Sequence, residues 1–269
     1  MAMAEQNPTR AHFYSFPDPA LQYWRFWILL AWNDLRRRYR RSLLGPLWAL
    51  VGNAAFILAI SYVYGEIFSV DIYAYTPYLA CGFITWQLIQ GLIAEGASTF
   101  LSSESMIKSY TLPLTVYAWR TVVRNLFVFA INAVLLIIVI GALVGELAMA
   151  AWVLPASLII IFVNGYFASL LLGALSTRNR DLPELINSVL RLAFFVTPIL
   201  WTPDQVGARG TLADINPLTH FIEIVRAPLL GEWPRALSWM IVGGVTLANA
   251  AAGLAAYVAW RRKIVFWLG

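Results

Sequence analysis

Long uncharged runs separated by short charged clusters set the pattern of this chain. Charge is absent between Arg41 and Glu66, between Asp71 and Glu95, from Asn125 to Gly145, from Leu147 to Thr177 and between Arg235 and Arg261. A helix needs about 20 consecutive apolar residues to cross a hydrocarbon core, and each of these runs is of that order. They predict span 1 at 43–65, span 2 at 76–96, span 3 ending within 125–145, span 4 within 147–177 and span 6 between 235 and 261. Arg120 and Arg124 sit in the turns before span 3. Glu184–Trp201 is the weakest candidate, interrupted by Arg191, and is read as span 5. The expected fold is all-α and membrane-integral, with six transmembrane helices.

Two segments fit neither a span nor a simple loop. Residues 21–41 place Trp24, Trp27, Ile28, Ala31 and Leu35 at helical spacing and close on Arg36, Arg37, Arg38, Arg40 and Arg41. That pattern predicts an amphipathic helix lying in the membrane interface, apolar face down, with Arg25 and the basic end at anionic headgroups. The same arginines also suit a plain topology anchor. Residues 203–236 mix Pro203, Pro217, Pro228 and Pro234 with charges and short apolar runs. They are too broken to span, and short helices dipping into the outer leaflet under cover of protein would fit. Small residues mark close helix contacts: Gly165, Ser169 and Gly173 in span 4, and Gly141 with Gly145 at the end of span 3. Such stripes let helices approach closely, more often within a chain than between chains.

Composition agrees with the pattern. Of 269 residues, 60% are hydrophobic and 12% charged, against about 25% charged in soluble domains. Twelve Trp and twelve Tyr suit two interfacial belts. The net charge of +5 is explained by topology rather than by nucleic acid. With the N-terminus inside, the inner segments hold Arg36–Arg41, Lys108, Arg178, Arg180, Arg261, Arg262 and Lys263, and the outer ones only Arg209, Arg226 and Arg235. The positive-inside rule then places both termini in the cytoplasm. Residues 1–20 lack an apolar signal region and read as a cytosolic tail. The chain is expected to be one domain over 1–269: this tail, the 21–41 helix, six spans across 42–260, and a second tail at 261–269.

Absent chemistry narrows the function. The two lysines, Lys108 and Lys263, follow Ile and Arg, so neither closes a P-loop. One cysteine, Cys81, and two distant histidines, His12 and His220, offer no metal site. No catalytic centre and no cofactor are expected in this chain. A membrane-embedded glycosyltransferase would have to use the outer acids Asp204, Asp214, Glu223 and Glu232. An ion-driven carrier would need more buried ionisable groups than Glu95, which reads better as a helix-end acid facing the cytosol. Arg120 and Arg124 share a helix face and are expected to snorkel to the inner interface, or to receive an anionic headgroup there.

Four ordered blocks resemble the ABC-2 type permeases. They are YRRSLLGPLWALV at 39–51, SSESMIKSYTLPLTVYAWR at 102–120, NRDLPELINSVLRLAFFVTPILW at 179–201 and INPLTHFIEIVRAPLLG at 215–231. Within that family, length, interfacial helix and aromatic content are most similar to the polysaccharide and O-antigen exporters, and capsule and teichoic acid exporters share the blocks. The resemblance implies a transmembrane subunit of the bacterial inner membrane that dimerises with a second copy. It also implies two P-loop ATPase subunits, which bind ATP and Mg, and export of a polysaccharide on an undecaprenyl-pyrophosphate-type lipid. Membrane lipids are the other expected partners, and nucleic acid is not one.

The same resemblance implies roles for residues. Glu104, Ser105, Met106, Ile107, Lys108 and Tyr110 would dock on the ATPase as a coupling helix. Arg178, Arg180 and Asp181 would lie near a cytoplasmic gate, and 203–236 would form periplasmic gate helices. Sugars present C–H faces that flat aromatic rings bind loosely, as a passage requires. Tyr62, Tyr64, Phe83, Trp86, Phe194, Phe195 and Trp201 are candidates for such a lining, although each also suits a lipid-facing or interfacial position.

Overall fold

The computed structural model describes residues 19–40, 42, 45, 47–145, 149–203, 205 and 211–268. Helices account for nearly all of them, and there is no strand among the described residues. In chain order they are α1 (Trp24–Arg38), α2 (Leu47–Phe68), α3 (Ile72–Ala97), the short α4 (Glu104–Ser109) and α5 (Thr115–Leu143). There follow α6 (Leu154–Arg178), α7 (Leu182–Val196), the one-turn α8 (Thr211–Ile215), α9 (Pro217–Leu229) and α10 (Ala236–Trp267).

Local sequence explains the helix starts. Asp71 caps α3, its carboxylate accepting from the Tyr73 amide at 3.1 Å, and Asn216 caps α9 by accepting from Leu218 N at 3.0 Å. Proline in the first turn of α6, α7 and α9 uses a position where no amide donor is needed. Gly145 takes φ +89° just past α5, a conformation that stops a helix.

Four stretches are long and apolar enough to cross a bilayer: Leu47–Ile67, Thr115–Leu143, Met149–Arg178 and Ala236–Trp267. The chain is a multi-pass membrane protein. α3, at 26 residues, has the length as well but carries Gln87, Gln90 and Glu95. It tolerates them because α2, α5, α6, α7 and α9 all pack around it. α7 has 15 residues, about 22 Å at the helical rise, and stops before Pro198, so the expected 184–201 span is a shorter helix followed by an irregular Thr197–Trp201 turn. α10 runs on to Trp267, so Arg261, Arg262 and Lys263 of the expected 261–269 tail are helical.

The small-residue stripe of α6 packs within the chain. A methyl group added at Gly165 would strike Leu92, and one added at Gly173 would meet Phe100 and the Gly96 carbonyl; Gly96 itself sits against Ser169. α6 and α3 therefore approach closely, and the opposite side of α6 carries α10, whose Gly253 lies against Phe167. Gly141, in contrast, faces open space.

One expectation about α1 needs correction. Trp27, Ala31 and Leu35 do form a buried stripe, but its Trp27 and Ala31 pack on protein, against Val116, Trp119 and Val123 of α5. Trp27 stacks on Trp119 with ring centroids 5.5 Å apart and donates to the Ala20 carbonyl at 3.0 Å. The apolar residues left exposed are others: Leu21, Phe26, Leu29 and Trp32, together with Trp24 from the expected face.

Candidate functional site

At one end of the bundle, α1, α3 and α5 meet in an ion-pair network. Arg120 grips Asp34 with two parallel bonds, Nε to Oδ2 at 2.6 Å and Nη2 to Oδ1 at 2.8 Å. Arg124 spans Asp34 Oδ2 at 3.3 Å and Glu95 Oε2 at 2.8 Å, and Asn125 also donates to Glu95 at 2.7 Å. Arg38, at 3.9 Å, adds a looser partner to Glu95. The Asp34, Arg120 and Arg124 side chains are 20% exposed or less. A bidentate guanidinium–carboxylate pair fixes orientation as well as distance, so the register of α1 on α5 is set here.

This geometry replaces two sequence expectations. Arg120 and Arg124 neither snorkel freely nor stand open for a headgroup, because their guanidinium groups are committed to Asp34 and Glu95. Glu95, 31% exposed near the end of α3, also turns onto α5 through Arg124 and Asn125.

The network reaches α4. Arg120 Nη1 donates to Ser103 Oγ at 3.2 Å and contacts Met106 Sδ at 3.5 Å. In α4, Ser105, Lys108 and Ser109 are exposed, as is Tyr110 just after it, while Glu104 and Met106 are half-buried. Ile107 is buried in the main core and anchors the helix rather than offering a docking contact. Lys108 donates to Glu104 at 2.6 Å. That hydrogen bond holds the Glu104 carboxyl below the usual carboxylate range, with Arg180 contributing in the same sense. Arg178, the last residue of α6, and Arg180 and Asp181, in the turn that follows, are exposed.

The aromatic candidates divide. Phe83, Trp86, Phe194 and Phe195 form a continuous cluster between α3 and α7, joined by Phe56 of α2. Phe56 and Phe83 are 4.4 Å apart, Trp86 and Phe194 5.8 Å, Phe83 and Phe194 6.3 Å, and Phe194 and Phe195 5.3 Å. Trp86 is 1% exposed and belongs to the core, whereas Phe195 is 66% exposed. Trp201 joins the α7 end by donating to the Phe195 carbonyl at 3.0 Å. Tyr64 is half-buried against the main core, and Tyr62 stands exposed on α2 away from the cluster. Below the rings, Asn53, Gln87 and Asn132 link α2, α3 and α5 through bonds of 2.8–2.9 Å, a polar knot that the sequence reading did not anticipate.

At the other end, blocks far apart in sequence lock together. Arg226 donates to the Pro198 carbonyl at 2.8 Å and lies 3.9 Å above the Tyr78 ring. Tyr78 donates to Pro198 and Trp201 carbonyls, Tyr75 to Leu200, and Asn216 to Thr197 Oγ1 at 2.9 Å. The irregular 197–201 turn thus gives its carbonyls to α3 and α9. Beside it, Arg235 pairs with Glu223 at 2.6 Å and Asp214 at 2.8 Å. Ser238 bridges Glu223 and His220. Burial raises the Glu223 carboxyl, but hydrogen bonds from Arg235 and Ser238 outweigh it and leave the group below its usual range. The same pair raises Arg235. Asp214 and Glu223 are therefore consumed by Arg235, and Glu232 stands apart, exposed. Asp204 lies outside the described residues.

Arg25, Arg36, Arg37, Arg38 and Arg40 are all exposed on α1 and the turn after it, and Arg41 lies outside the described residues. Arg36, Arg37 and Arg40 line, with Trp32 and Tyr39, a cavity of about 560 Å³ open to the surface. No group of His, Cys, Asp and Glu able to hold a metal occurs among the described residues. Sequence reasoning missed the Asp34–Glu95–Arg120–Arg124 network. Its signal was present: two acids and two arginines inside otherwise apolar helices, which lipid would leave unpaired only at high cost.

The chain is 26% identical over 200 residues to the O-antigen export system permease protein RfbA of Klebsiella pneumoniae, covering 72% of this chain and 76% of that one. It is 25% identical over 212 residues to the protein of the same name from Myxococcus xanthus, covering 77% and 80%. The ABC-2 type transporter family model matches residues 25–230, from the start of α1 through α9, and the chain belongs to that family.

Proposed function

We propose that the chain is the transmembrane subunit of an ATP-driven exporter that carries a lipid-linked polysaccharide, O-antigen in kind, across the bacterial inner membrane. The observation that carries this reading is α4: a short helix with an exposed Ser105–Lys108–Tyr110 surface, anchored by Ile107 and tied through Arg120 to α1 and α5. Such a helix can pass a push from an external motor into the bundle. The names of the relatives supply the cargo, and an undecaprenyl-type pyrophosphate carrier follows from the resemblance of the sequence blocks.

In this reading α2, α3, α5, α6, α7 and α10 are the six spans of one domain, and both termini are cytoplasmic. Two copies enclose the passage. Two P-loop ATPase subunits bind ATP and Mg and dock on α4, with Arg178, Arg180 and Asp181 beside them at the inner gate. α8 and α9 form the outer gate, pinned by Arg226 and Arg235. The exposed arginines of α1 meet anionic headgroups, and Phe83, Phe194, Phe195 and Trp201 give the sugar a surface to slide on.

The test is glycan export in cells lacking the gene, complemented with the chain alone, with the ATPase alone and with both. Export that requires both and stops when ATP is depleted is the expected result. ATP hydrolysis by the purified chain alone, or export surviving ATP depletion, would sink the proposal.

A further inference from the structure

α7 carries two different stripes. Exposed Glu184, Arg191 and Phe195 with half-buried Ser188 fall on one, and exposed Leu185, Val189, Leu192 and Val196 on the other. At 3.6 residues per turn each set fills about 60° of arc, and their centres lie about 100° apart. Leu190 is buried against the rest of the chain. The second stripe is what a helix shows to lipid or to another apolar surface.

The first stripe is not. Glu184 is 77% and Arg191 64% exposed, and their closest approach is 3.7 Å. Arg191 donates to Ser188 at 2.8 Å. Phe194 packs on Phe83 and Trp86, so Arg191, about one turn nearer the other end, lies level with the middle of α3. A guanidinium pointing out of the protein at that depth is costly against hydrocarbon and normally marks a water-filled path.

We infer that the Glu184–Ser188–Arg191–Phe195 stripe faces a watery passage closed by the second copy, and that Arg191 with Ser188 there receives the pyrophosphate of the lipid-linked cargo. This rests on the dimeric exporter reading above. The stripe offers the two contacts such a cargo needs. Arg191 presents a fork of N–H donors suited to phosphate oxygens, and the Ser188 hydroxyl lies beside it. Phe195, one turn further on, offers its ring face to the sugar that follows. Glu184, near the start of α7, keeps the anion from settling, because a passage must also release what it binds.

The experiment uses the complete complex with its ATPase in native membranes. Single cysteines replace Glu184, Ser188 or Phe195 on one stripe, and Leu185, Val189 or Leu192 on the other. Each is exposed to a charged, membrane-impermeant methanethiosulfonate. The polar stripe is expected to react about tenfold faster or more, as water access at that depth requires; equal or reversed rates would overturn the inference. Undecaprenyl pyrophosphate is then added to Ser188→Cys complexes. Slower labelling with it, and with inorganic pyrophosphate at higher concentration, is expected. Undecaprenol should give no protection, and Arg191→Gln should abolish the effect. Equal protection by undecaprenol, or protection by none of them, would overturn the anion assignment. These readouts do not depend on transport, so a complex that labels as expected but exports no glycan would count against the proposed function and not against the stripe.

Discussion

The polar clusters at the two ends of α3 use the same residue types in opposite settings. At the Glu95 end, inner in the proposed reading, Asp34, Arg120 and Arg124 are 20% exposed or less and join three helices. At the other end, outer in that reading, Arg235 is half exposed, as is its partner Asp214, and only Glu223 is well covered. Water screens the outer pairs, so they add little to stability. The inner pairs have lost much of that shield, and removing one member leaves a largely buried charge short of its best partner. The inner cluster therefore behaves as a rigid joint between α4 and the bundle. The outer one behaves as a latch that can open at small cost, as the gate proposed above would require.

The comparison breaks first at Arg120. Arg120→Gln removes both short bonds to Asp34 and leaves it only the 3.3 Å contact with Arg124, and is expected to cost about 3 kcal/mol. Thermal unfolding of the purified chain in detergent should show a large fall, with protease sensitivity appearing first in α1. A double-mutant cycle with Asp34→Asn should return most of the loss, since the partner charge is then gone. Near-wild-type stability of Arg120→Gln would show that the inner network is no joint. Arg226 sharpens the contrast from the outer side, because there the guanidinium is buried, 8% exposed, on the Tyr78 ring and the Pro198 carbonyl. Arg226→Gln is expected to lose about 2 kcal/mol, the worth of a desolvated cation–π contact plus a charged hydrogen bond. Its local signature is faster hydrogen exchange in 197–201, whose carbonyls lose a donor.

The helices were legible because lipid leaves a strong trace. Every uncharged run of the sequence contains a long helix, and the α6 glycine stripe could be assigned to packing inside the chain. The interior of the site was less legible, for physical reasons. The face of α1 was read as Trp24, Trp27, Ile28, Ala31 and Leu35; of these Trp27, Ala31 and Leu35 are buried and Trp24 is exposed, and an amphipathic pattern does not say whether its apolar side meets lipid or protein. The pairing of Asp34 with Arg120 spans 86 residues, and no local period encodes it. Sequence also named Phe83, Trp86, Phe194 and Phe195 together, yet only the fold separates Trp86, sealed in the core, from Phe195, which looks outward. The same holds for Ile107, whose hydrophobicity suits an anchor as well as a docking contact. Span 5 looked weak because of Arg191, and the reason is now visible: one stripe of α7 is polar.

Arg235→Gln tests the latch directly. It removes bonds to both Asp214 and Glu223, yet the expected loss is only about 1 kcal/mol, because one partner and Arg235 itself are half in water. High salt should erase much of the difference from wild type, whereas the effect of Arg120→Gln should persist in salt.

The smallest effect is the acid dependence of that same latch. Glu223 titrates below its ordinary value of 4.5 because Arg235 and Ser238 hydrogen-bond its charged form, against the opposing effect of burial. A carboxyl whose folded value is depressed contributes stability that is fully present above 4.5 and is lost as pH falls through the lower folded value. The stability gap between wild type and Arg235→Gln should therefore be flat from pH 8 to 6 and should close as acid protonates Glu223. Measuring the gap, rather than either protein alone, cancels groups common to both, such as Glu104 with its Lys108 bond. His220 keeps its place in both through Ser238 and the Asp214 carbonyl. A gap that stays constant into strong acid would mean that Arg235 acts through packing alone, and the outer cluster would then be a wedge and not an electrostatic latch.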